Sequence, residues 1–68
     1  MRIEVEFFPQ KREVSIELGD RSTGLDLVKA LNLAPDVHIL VKDGVPIPID
    51  ETLQDGNRIR VIAVVSGG

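Results

Sequence analysis

The hydrophobic pattern has period two along almost the whole chain and departs from it once. Ile3, Val5 and Phe7 alternate with Arg2, Glu4 and Glu6; Val14, Ile16 and Leu18 alternate with Glu13, Ser15 and Glu17. Alternation of this kind marks half-buried strands. The polar, proline-opened stretch Pro9-Gln10-Lys11-Arg12 joins the two runs, so the chain is expected to begin as a hairpin. The departure lies between Thr23 and Asn32, where Leu27, Val28 and Leu31 fall at helical spacing and Asp26 and Lys29 turn away. Thr23 is the expected N-cap, with Asp26 placed for a capping box; Gly24 at the first helical position is a mild cost, and Pro35 ends any continuation. A helix of about nine residues is too short to persist alone in water, so it has to be held against a sheet.

After the helix the alternating pattern returns. Val37 to Lys42 reads as a strand, Asp43-Gly44 as a tight turn, and Val45 to Ile49 as a short return. Pro46 and Pro48 confine that return to a sheet edge. A polar connection with one apolar plug, Leu53, leads to a strand from Asn57 to Val65, expected to be the longest. Placing it beside the first strand, in parallel, closes one sheet around one helix, an α+β arrangement.

Length and composition narrow the function. At 68 residues the chain is a single small domain, burying only ~60% of the surface its unfolded chain exposes, with little room for an enclosed active site. Cysteine is absent, which removes disulfides, thiolate metal sites and a cysteine nucleophile together. The net charge of -3 and the two aromatic residues disfavour nucleic-acid binding. No apolar run approaches ~18 residues, and the charged start from Met1 to Val5 is unlike a signal peptide; a soluble, cytoplasmic protein, monomeric when free and bound to no membrane, is expected. His38 lies alone in an apolar strand and reads as an ordinary strand residue, because a catalytic base needs a nucleophile and an orienting group beside it.

The sequence closes on Ser66-Gly67-Gly68. Glycine has no Cβ, so such an end is slim enough to extend through a narrow channel of a partner, presenting the Gly68 carboxylate as the reactive group. The expected division is a domain over residues 1–65 and a mobile tail over residues 66–68. The strand order, the Thr23-initiated helix, the Asp55-Gly56 turn before the last strand and the Ser66-Gly67-Gly68 end together resemble the β-grasp, ubiquitin-like sulfur carriers of the ThiS and MoaD type, with the small archaeal modifier proteins. The resemblance covers essentially the whole chain. It implies a β-grasp fold of four to five strands gripping one helix. It also implies adenylation of Gly68 by an ATP-dependent activating enzyme of the ubiquitin type, with Gly67 beside it. Sulfur then replaces an oxygen, and the thiocarboxylate serves a sulfur-accepting synthase in thiamine or molybdopterin biosynthesis, or tRNA thiolation. Some such proteins are instead joined through that glycine to lysines of other proteins, and a non-covalent ubiquitin-like binding module with an inert tail is a further alternative. ATP belongs to the activating enzyme, so no cofactor is assigned to this chain, which is a carrier rather than an enzyme. The Ser-Gly-Gly end is similar to molybdopterin-synthase small subunits, whereas Val45-Pro46-Ile47-Pro48 is similar to thiazole-type carriers, so the acceptor stays open.

The surface a partner would read follows from parity in the last strand. Ile59, Val61 and Ala63 are expected to face the helix, leaving Arg60, Ile62 and Val64 on the outer face, joined there by Phe8 and leading to Ser66. In the third strand polarity favours Val37, Ile39 and Val41 inward and His38, Leu40 and Lys42 outward.

Overall fold

The computed structural model describes residues 1–64; Val65 and the expected tail, Ser66, Gly67 and Gly68, lie outside the described residues. The elements are β1 (Arg2–Phe8), β2 (Arg12–Glu17), α1 (Gly24–Ala30), β3 (His38–Lys42), β4 (Val45–Ile47) and β5 (Arg58–Ala63), with a 3₁₀ turn at Pro35–Val37 before β3. They form one mixed sheet in the order β2-β1-β5-β3-β4. β1 pairs antiparallel with β2 and parallel with β5, and β5 pairs antiparallel with β3. Two hairpins thus flank a central strand that arrives last in the chain, and α1 packs on one face. β1, not β5, is the longest strand.

Local chemistry accounts for each boundary. The Thr23 N–H donates to Asp26 Oδ2 at 2.9 Å and the Asp26 N–H donates to Thr23 Oγ1 at 3.4 Å, completing the capping box. The helix is shorter than its pattern predicts, because Leu31 already leaves helical geometry and Asn32 adopts φ 59°. Asp43 and Gly44 have φ 52° and 77°, the two positive values that a tight hairpin turn requires. β4 is a three-residue edge strand containing Pro46. The Asp55-Gly56 turn is bound to the start of β1: the Gly56 N–H donates to the Arg2 carbonyl at 2.8 Å, and the Arg2 N–H to Asp55 Oδ1 at 2.7 Å.

The core is Ile3, Val5, Leu27, Val28, Leu40, Leu53, Ile59 and Val61, all buried. Each contributes about 1.5–3 kcal/mol of transfer free energy. Leu53 is the plug its loop predicted. The facing of β3 is the reverse of the polarity expectation: Leu40 points into the core and Ile39 out. Register decides this, since Leu40 stands opposite Val61 on one side and Ile47 on the other. His38 and Lys42 share its inward parity but sit at the strand ends. There His38 Nδ1 lies 2.7 Å from the Ala34 carbonyl, and Lys42 Nζ donates to Glu51 Oε2 at 3.1 Å. Ala63, also of inward parity, is exposed at the end of β5, beyond the core.

Candidate interaction face and its lead to the chain end

On the sheet face away from α1, three adjacent strands carry the candidate site. Phe8 stands opposite Ile62, and Ile62 opposite Ile39, so one apolar row crosses β1, β5 and β3. The Val64 N–H donates to the Val37 carbonyl at 2.8 Å, which carries the pairing one step past β5 and sets Val64 and Val37 beyond the row. Phe8, Val37, Ile39 and Val64 are 41–44% exposed, and Ile62 between them is half-buried. Five large apolar side chains on one open sheet face form a patch of the kind that marks a protein contact.

The next row is polar. Glu6 stands opposite Arg60, and Arg60 opposite Val41. Arg60 Nε donates to Glu6 Oε1 at 2.8 Å, and its guanidinium carbon lies 5.6 Å from the Phe8 ring centroid. Each contact contributes at most about 1 kcal/mol at this exposure, so their effect is orientation rather than stability. They hold a cation at the margin of the apolar row. Farther along, Arg58 and Arg60 line a shallow hollow of about 180 Å³ with Glu6 and Asp43. The outer face therefore runs from charged groups at one end to apolar groups at the end where the chain continues toward Gly68.

Arg60, Ile62, Val64 and Phe8 are thus brought together as their parity predicts. Val37 and Ile39, assigned to the core by polarity, join them instead. Glu6 was not singled out, although its place in the register opposite Arg60 is the signal that finds it. Ser66, Gly67 and Gly68 fall outside the described residues.

Comparison with known proteins agrees with this geometry. The sequence profile of the family described as Small archaeal modifier protein 2 matches residues 1–65. The chain belongs to that family. The small archaeal modifier protein 2 of Haloferax volcanii is 32% identical over 53 residues, 78% of this chain and 79% of its own length. An uncharacterized protein of Archaeoglobus fulgidus is 31% identical over 70 residues, with both chains fully covered. Among solved structures, SAMP1 from Haloferax volcanii superposes with a TM-score of 0.78 at 18% identity over the whole of both chains. The putative molybdopterin converting factor subunit 1 from Pyrococcus furiosus gives 0.75 at 21% identity, covering 94% of this chain and 98% of that one. These two likenesses establish the fold, the five-stranded β-grasp. The chain is a homologue of the ubiquitin-like small archaeal modifier proteins, with one sheet and one α-helix among its described residues. No helix among its described residues is long and apolar enough to cross a membrane.

Proposed function

We propose that this protein is a cytoplasmic ubiquitin-like carrier that acts through its Gly68 carboxylate. The observation that carries the reading is the alignment of the apolar face with the chain end. Val64 lies just beyond the row Phe8–Ile62–Ile39 on the same face, and the sequence runs four residues further, to Gly68. Four residues reach at most about 13–14 Å, so an enzyme docked on this face has the carboxylate within short range. A carboxylate is a poor electrophile until one oxygen becomes a leaving group. An activating enzyme of the ubiquitin type supplies this: the Gly68 carboxylate attacks the α-phosphorus of ATP, pyrophosphate departs, and a mixed anhydride with AMP results. A hydrosulfide-level nucleophile then displaces AMP, giving a thiocarboxylate whose sulfur passes to an accepting synthase. Gly67 and Ser66 thread the channel, while Phe8, Arg60, Ile62 and Val64 supply the docking face. The chain is a co-substrate in this reading, and the chemistry is catalysed by its partner.

A second reading is favoured by the family to which the chain belongs, whose description is that of a modifier. In it a lysine amine of another protein displaces AMP and leaves an amide at Gly68. One experiment tests both. The protein is incubated with its activating enzyme, ATP and sulfide, and its intact mass is recorded. Replacement of one oxygen by sulfur supports the carrier. Ladders of conjugates in a lysate containing the enzyme and ATP support the modifier. An unchanged mass together with no conjugate contradicts activation at Gly68.

A further inference from the structure

On the other side of the sheet, away from the docking face, the β2 edge and an adjoining groove make a second surface. Met1 and Leu18 exchange both backbone hydrogen bonds: the Leu18 N–H donates to the Met1 carbonyl at 2.8 Å, and the Met1 ammonium to the Leu18 carbonyl at 2.5 Å. Bonded and non-bonded pairs alternate along an antiparallel ladder. With the register Ile3↔Ile16, Val5↔Val14 and Phe7↔Arg12, it follows that Arg12, Val14 and Ile16 bond to β1. The N–H and C=O groups of Glu13, Ser15 and Glu17 then point away from it. β2 is the last strand of the sheet, so among the described residues these groups line an open edge.

Beside that edge, on the α1 side, lies a groove of about 350 Å³ lined by Phe7, Gln10, Arg12, Val14, Leu31 and Leu33. Four of the six are apolar and half-buried against the core. The only charge is Arg12, whose guanidinium carbon is 5.8 Å from the Phe7 ring centroid and which has no carboxylate partner among the described residues. The opposite flank of β2 has the reverse character, with Glu13 and Glu17 exposed. A single cationic, apolar groove next to free backbone donors and acceptors, on a chain of net charge -3, specifies its occupant by charge.

We infer that β2 recruits an extended segment of another protein as an added strand. Its backbone pairs with Glu13, Ser15 and Glu17, and its alternate side chains enter the groove. Two of those side chains are apolar and contact Phe7, Val14, Leu31 and Leu33. The third, at the Arg12 end, is a carboxylate. The intervening residues face Glu13 and Glu17 and are basic or neutral. This surface is independent of Gly68 activation, because it lies on the face opposite Ile39 and Ile62.

The test titrates the full chain, followed by backbone amide and methyl NMR, with the peptide Ile-Lys-Val-Lys-Asp, its reversed sequence, and a control in which the lysines and aspartate exchange places. All are capped at both ends. One of the first two is expected to shift the amides of Glu13, Ser15 and Glu17 and the methyls of Val14, Leu31 and Leu33, and to slow exchange of those three amides. Arg12→Glu is expected to weaken binding about five- to tenfold, and Ser15→Pro, which removes an outward N–H, by about as much. Ser15→Ala keeps that N–H while losing the bond from Ser15 Oγ to Glu4 Oε2, and Ile62→Asp alters only the far face; both are expected to bind normally. Melting curves confirm that each variant is folded. The inference is overturned if shifts cluster at Ile39 and Ile62, if the exchanged-charge control binds equally well, or if neither peptide shifts the β2 amides at millimolar concentration. Self-association through β2, seen as concentration-dependent shifts of the same amides without peptide, also overturns it in favour of a second copy as the occupant.

Discussion

Gly24 opens the helix in a position where sequence reasoning sees only a weak helix former. A Cβ there would stand 2.5 Å from Leu40 Cδ1 and 2.9 Å from the Ile49 carbonyl oxygen. The leucine methyl can rotate away. The carbonyl cannot, because it accepts from the Leu25 N–H at 2.7 Å while the Gly24 N–H donates to the Glu51 carbonyl at 3.0 Å. Gly24→Ala therefore sets a propensity gain of about 1 kcal/mol against an overpacking cost of about 1–3 kcal/mol. A net loss near 1 kcal/mol is expected, a fall in Tm of about 4–8 °C for a domain of this size. A higher Tm in a thermal melt would show that the close approach of α1 to the loop after β4 is not constraining. Thr23→Ala tests the neighbouring cap and is expected to cost about 1 kcal/mol by urea unfolding, since one side-chain acceptor is lost from the first turn.

At the scale of elements, parity separates fold from function. Val61 is buried, so Val61→Asp places an unpaired charge in the core and is expected to unfold the protein, whose total stability is only about 5–15 kcal/mol. Ile62→Asp lies on the outer face and is expected to cost under about 1 kcal/mol while weakening the complex with the activating enzyme at least about tenfold. In β3 the same contrast should separate Leu40→Asp, which unfolds, from Ile39→Asp, which does not. Circular dichroism and an enzyme-binding titration distinguish the four. The parity of β5 was legible because Arg58 and Arg60 sit on one side of the strand and break the apolar run. β3 carries its polar residues, His38 and Lys42, on the inward side at its two ends, where the core no longer covers them and Ala34 and Glu51 supply partners. A rule that averages polarity over the strand then gives the wrong face. Only the non-local pairing of Leu40 with Val61 and Ile47 corrects it. The capping box, the Asp43-Gly44 turn and the proline-bearing edge strand were legible because each depends on residues a few positions apart. The Arg60–Glu6 contact spans 54 positions and needed the sheet order first.

For the whole molecule, the sheet sets the last described strand at its centre. β5 is the central strand, paired with β1 on one side and β3 on the other, and the apolar row crosses it at Ile62. Under the proposed function, activation depends on reach measured from β5. Removing one residue moves the reacting carboxylate by about 3.3–3.6 Å, as large as the ~3–3.5 Å separation at which it must meet its electrophile. Gly67→Val leaves the reach intact and is expected to slow activation through bulk in the channel. The most direct measurement is ATP–pyrophosphate exchange catalysed by the activating enzyme with the intact chain and with the chain lacking Gly68, beside a melting curve for each. Exchange is expected with the intact chain and to be lost with the shortened one, with Tm unchanged; full exchange without Gly68 would contradict activation at that carboxylate.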